Sequence, residues 1–167
     1  MSTPTRFTSG VGTVAKTKTL GMLGMPDPTK FHTFFDDFDR YLASDWVVTT
    51  TEAGTGSATE VITDEDGGVL LATNAAGDND LDFLQNAGEC FKFESGKRLF
   101  FKARFKVSDA TQSDFVMGLQ ITDTTPLDVT DGVFFQKDDG DASLDVHVEK
   151  DGTATDGTAI HTMVDDT

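Results

Sequence analysis

The chain has 167 residues, enough for one domain plus an arm, with 37% hydrophobic residues, 14 Phe and a formal net charge of −16. Residues 1–30 hold four bases against one acid, net +3, so residues 31–167 carry −19. A body that acidic repels nucleic-acid phosphates and anionic membranes, so neither is an expected partner, and no apolar run approaches the ~18 residues of a membrane helix.

The chain opens on a segment rich in Thr, Gly, Ser and Lys, with no apolar core of the secretory kind behind Arg6. The protein is therefore expected to be made in a cell's cytoplasm. Residues 1–30 bury too little apolar surface to offset their own ordering entropy, and read either as a disordered end or as a basic arm that orders on a partner. In the second reading Val14, Lys16, Lys18, Leu20, Met22, Leu23 and Met25 make the contacts, the Met and Leu side chains acting as apolar anchors between glycines.

Phe31, Phe34, Phe35 and Phe38 stand at helical spacing, but their aromatic load suits a strand, and we read residues 33–38 as one. Residues 41–45 form a turn or a single helical turn, and Trp46, Val47 and Val48 begin the next strand. Residues 59–63 and 69–73, on either side of an Asp- and Gly-rich turn, form a hairpin. Residues 80–85 and 91–94 alternate as strands, with Cys90 expected as a buried small hydrophobe.

The organising stretch is residues 98–121. Leu99, Phe101, Ala103, Phe105 and Val107 alternate with Phe100, Lys102, Arg104 and Lys106, which predicts a long strand with one buried face. Residues 108–114 form a polar connection, and Phe115, Met117, Leu119 and Ile121 resume the alternation, so the two are expected to pair antiparallel. Strands at 133–136, 144–149 and 158–164 follow, separated by turns at 138–141 and 151–152. This many short strands without a helical period predict an all-β antiparallel β-sandwich over residues 31–167, as one domain behind the arm.

Catalytic chemistry has little to stand on. One Cys and the scattered His32, His147 and His161 lack zinc spacing, and there is no nucleophile elbow or phosphate loop. No cofactor is expected. Calcium is the metal the acidic loops suit best, with Asp78, Asn79 and Asp80 as candidate ligands, although the same residues also serve tight turns.

Three motifs carry a resemblance: Asp36-Asp37-Phe38, then Asp45-Trp46-Val47-Val48, then Gly67-Gly68-Val69-Leu70-Leu71. Together they resemble the opening of concanavalin A-like jelly-roll domains. In laminarinase-like glycosidases of that superfamily the catalytic strand reads E-[IL]-D-[FI]-x-E. Here its counterpart is Asp80-Leu81-Asp82-Phe83-Leu84-Gln85, and Gln85 cannot donate a proton as an acid, so no hydrolase activity is expected. Residues 13–30, then Phe34-Phe35-Asp36-Asp37-Phe38, and residues 102–110 are also similar to structural proteins of tailed bacteriophages from marine bacteria.

That resemblance implies a virion component on the outer capsid surface, a decoration or cement protein. The major capsid protein would be its partner, and the protein would be a homo-oligomer, a trimer among the options. The alternative is a lectin-like module binding host-surface glycan, with Asp78, Asn79 and Asp80 holding calcium and sugar. Jelly rolls of this kind carry further strands after the equivalent of Val164, and the sequence ends at Thr167.

Overall fold

A computed structural model describes residues 31–51, 58–64, 68–74 and 80–165. The arm residues 14–25 and the loop residues Asp78 and Asn79 lie outside the described part. The chain divides into two compact units, Met1–Ala87 and Gly88–Thr167, and its sheets are antiparallel throughout.

The described strands of the first unit are β1 (Trp46–Thr51), β2 (Thr59–Ile62), β3 (Leu70–Thr73) and β4 (Leu81–Asn86). A single 3₁₀ turn, Ala43–Asp45, delivers the chain to β1. The β2–β3 hairpin forms as expected, Thr59 opposite Thr73, and the Thr63 amide closes it on the Val69 carbonyl at 3.0 Å. β1 pairs instead with β4, Trp46 opposite Asn86 and Thr51 opposite Leu81, so the hairpin is an insertion between the two strands of another ladder.

Residues 33–38 are not a strand. The Asp36 carboxylate accepts the Phe38 amide at 2.7 Å, and Phe38 takes a left-handed φ of 52°. That Asx turn folds the chain back before an extended run can find a ladder. Gly68 seats the turn. A Cβ there would fall 2.7 Å from the Phe38 carbonyl carbon, and its φ of 67° suits glycine.

The second unit is a four-stranded meander of β5 (Phe115–Gln120), β6 (Gly132–Lys137), β7 (Ser143–Lys150) and β8 (Thr153–Thr162). The register fixes its two faces. Met117, Phe135 and Val146 share one face with Phe115, Leu119, Val133 and Leu144. Gly118, Phe134, His147 and Asp156 form one row across the opposite face. Phe134, Leu144, Ala110, Val129 and Pro126 are buried apolar residues of this unit.

The predicted strand at 98–107 has no ladder, and neither has 91–94. The alternation is nevertheless used. Phe105 meets Phe115 at 4.9 Å between ring centroids, and Phe101 meets Phe135 at 6.3 Å. Both partners lie on the apolar face of the meander, so the segment crosses that face instead of extending the sheet edge. The connection 108–114 explains the change. Asp109 accepts the amides of Thr111 and Gln112, each at 2.8 Å, and its carbonyl accepts the Ser113 hydroxyl. The Ala110 amide is held by the Asp165 carboxylate at 2.6 Å. So anchored, the connection is a compact turn and not a hairpin loop. Cys90, expected inside, is exposed, because residues 91–94 make no sheet to bury it.

Candidate partner-binding cleft

The first unit holds a cleft of about 300 Å³ where residues 35–46 turn around the start of β1. Asp36, Asp37, Asp39 and Asp45 line it together with Arg40. Phe35, Leu42 and Trp46 supply its apolar wall. The local chemistry follows from the sequence: the Asx turn at Asp36 folds the chain back, and the 3₁₀ turn brings Asp45 and Trp46 to the same cleft. Four carboxylates against one guanidinium give the cleft a formal charge of −3.

Trp46 is held in place by its neighbours. Phe34 approaches it edge-on at 6.0 Å, and Phe38 lies stacked against it at 6.2 Å. Phe35 is left 78% exposed at the rim, and Leu42 is exposed beside it. An exposed aromatic face next to carboxylates suits a cationic side chain with an apolar stem.

A second polar group lies deeper in the same unit. The Tyr41 hydroxyl is buried without a hydrogen-bond partner among the described residues. Burial raises its pKa first, and the negative charges of Glu60 on β2 and Asp82 on β4 raise it further. Asp82 is the middle acid of the glycosidase-like motif. Gln85, the residue in that motif's acid position, is buried in β4 opposite Val47.

No family model, curated protein or solved structure matches this chain.

Of the residues proposed from sequence, the arm contacts Val14, Lys16, Lys18, Leu20, Met22, Leu23 and Met25 lie outside the described residues, as do Asp78 and Asn79. Asp80 is half-buried, and its carbonyl accepts the Asn74 side-chain amide at 3.2 Å, which ties the two ends of that loop together. Among the described residues no group of three or more His, Cys, Asp or Glu can hold a metal ion. The cleft itself was not singled out from sequence. Its signal was the crowding of four Asp between residues 36 and 45 beside the single Trp, and Tyr41 with it.

In the second unit His147 Nδ1 lies 2.7 Å from Asp156 Oδ1, and Phe134 stacks on the imidazole at 5.4 Å. Lys137 is almost fully buried, with its ammonium on the carbonyls of Thr111, Ser113 and Asp138. Both arrangements hold strands and loops together, and neither places a nucleophile beside a base.

Proposed function

We propose that this chain is a non-enzymatic structural subunit of a tailed-phage virion, a jelly-roll decoration protein. It binds the outside of the head through its basic N-terminal arm, against the major capsid protein, and works as an oligomer. The observation that carries this reading is the apolar surface along residues 93–105. Leu99, Phe100 and Phe101 are 37%, 62% and 41% exposed in succession, and Phe93 is exposed ahead of them. Exposed apolar residues scattered singly are ordinary, but consecutive ones mark a surface that is covered in an assembly. The charge split supports the same reading: a cationic arm against a shell and an anionic body in water. Several arms around a symmetry axis would add avidity, and binding only the assembled shell would stabilise it by mass action.

The experiment is binding of the purified protein to empty phage heads, with and without residues 1–30, across a salt series. Saturable binding that disappears with the arm and weakens as salt rises supports the reading. Equal binding by both forms, or none by either, overturns it. The lectin-like alternative rests on Asp78, Asn79 and Asp80; the first two lie outside the described residues, and Asp80 is half-buried with its carbonyl on the Asn74 side chain.

A further inference from the structure

We propose that the acidic cleft around Trp46 is the docking site of the chain's own basic segment, residues 16–30. The inference does not depend on what shell or partner the protein later meets. Three observations lead to it.

The first is charge. The cleft carries −3, and the segment brings Lys16, Lys18 and Lys30 against the lone Asp27. The second is shape. A volume of about 300 Å³ is at the small end for a ligand site, suited to one or two side chains and not to a folded partner. Leu20, Met22, Leu23 and Met25 lie together between Lys18 and Lys30, and the rim offers Phe35 and Leu42 to receive them. Methionine is unbranched and adapts to such irregular apolar surfaces. The third is the tether. The segment ends at Lys30, five residues before Phe35. Lys16 and Lys30 are fourteen positions apart, and an extended chain of that length spans roughly 45 Å, ample to fold back. A tether this short gives an effective concentration in roughly the millimolar range, so the chain's own segment outcompetes that of a second molecule.

The docked arm would be held mainly by exposed charge pairs, which salt screens. A stronger surface could therefore draw it out, so that the cleft stores the arm until a partner competes for it.

Trp46 is the single Trp and lines the cleft, so its emission reports occupancy directly. The test uses acrylamide, a neutral quencher, on the full chain and on the full chain carrying Lys16→Gln, Lys18→Gln and Lys30→Gln. Neutralising the arm is expected to raise the quenching constant of Trp46 about two-fold. Salt at about 1 M, where the Debye length is about 3 Å, should do the same to the unmodified chain and nothing further to the variant. The unmodified chain needs no substitution to fold, so the salt arm stands alone if the variant misfolds by circular dichroism. Quenching unchanged by both treatments overturns the proposal. A protection that grows with protein concentration, together with a rise in mass by light scattering, also overturns it and assigns the cleft to the arm of a second copy. Protection by added oligosaccharide with no effect of the arm charges overturns it in favour of a glycan site.

Discussion

His147 on β7 and Asp156 on β8 stand directly opposite each other, with Nδ1 and Oδ1 2.7 Å apart. The pair ends a row that runs Gly118, Phe134, His147, Asp156 across four strands, each residue in register with the next. Phe134 fills the space that Gly118 leaves and stacks on the imidazole, which in turn meets the carboxylate. β8 is an edge strand whose residues are nearly all exposed, so this row is one of its few side-chain attachments.

Asp156→Asn should loosen β8 without unfolding the meander. The loss expected for one charge-assisted hydrogen bond that is partly open to water is about 1 kcal/mol. Amide hydrogen exchange should accelerate across β8 while β6 keeps its protection. His147→Phe keeps the stacking and should cost less than His147→Ala in urea unfolding.

Gly118→Ala should destabilise the second unit. A Cβ at Gly118 would lie 2.5 Å from the Phe134 Cα, and the strands are already paired there. Forcing them apart costs about 1–3 kcal/mol, the range of overpacked cores. The double variant Gly118→Ala, Phe134→Leu should not recover the loss, because the clash is with backbone. A lower urea midpoint for both variants checks this.

Lys137 should be the slowest of the described lysines to react with an acylating reagent. Only 1% of it is exposed, and its ammonium sits on three carbonyl oxygens. Lys137→Met removes the ammonium from the Ser113 carbonyl, while the Thr111 and Asp138 carbonyls keep the amides of Gly140 and Asp141, at a cost of about 1–3 kcal/mol. Mass spectrometry of partially acylated protein and urea unfolding of the variant measure the two effects.

The pH dependence at the acid end follows from three turn aspartates. Backbone amides lower the pKa of Asp109, with Gln112 first and Thr111 second, and backbone Ser143 does the same first for Asp141. For Asp123 the leading partner is the Thr125 hydroxyl. A carboxyl whose pKa is lowered on folding stabilises the fold above its unfolded value, and that stability is lost as pH falls through the folded value. Asp114 works the other way: burial raises its pKa, so its favourable contribution is present at low pH and lost as pH rises through the folded value. Stability should therefore fall below the ordinary aspartate pKa of 3.8, and Asp109→Asn should flatten that fall. Thermal unfolding of both proteins from acid to neutral pH checks it.

Cys90 is exposed, so one thiol per chain should react with a water-soluble disulfide reagent without denaturant. The same reagent under denaturing conditions should find no further thiol, because Cys90 is the single cysteine.

The legible parts were local. The β2–β3 hairpin, β5 and the meander strands β6 and β7 were all readable, since each alternates or ends in Gly and Asp turns that the next strand follows at once. β8 starts at Thr153, earlier than the expected 158, because a short turn at Asp151 and Gly152, both with positive φ, lets pairing begin immediately. Two strand readings failed for opposite reasons. Residues 33–38 lost to a side-chain turn at Asp36, whereas residues 98–107 kept their alternation but spent it on the face of the sheet.

By itself, the amino-acid order determined that this protein is all-β, where most strands begin and end, and that a basic segment precedes an acidic body. Those properties depend on periods of two and on turn residues a few positions apart. Tertiary structure alone decided that β1 pairs with β4, that two units form, that Gly118 and Phe134 stand in one row with His147 and Asp156, and that four aspartates surround Trp46. The reason is that any alternating segment can pair with many others. Which one it takes is settled by competition among distant partners for the same backbone groups and the same apolar face, and that competition is resolved only when the whole chain packs.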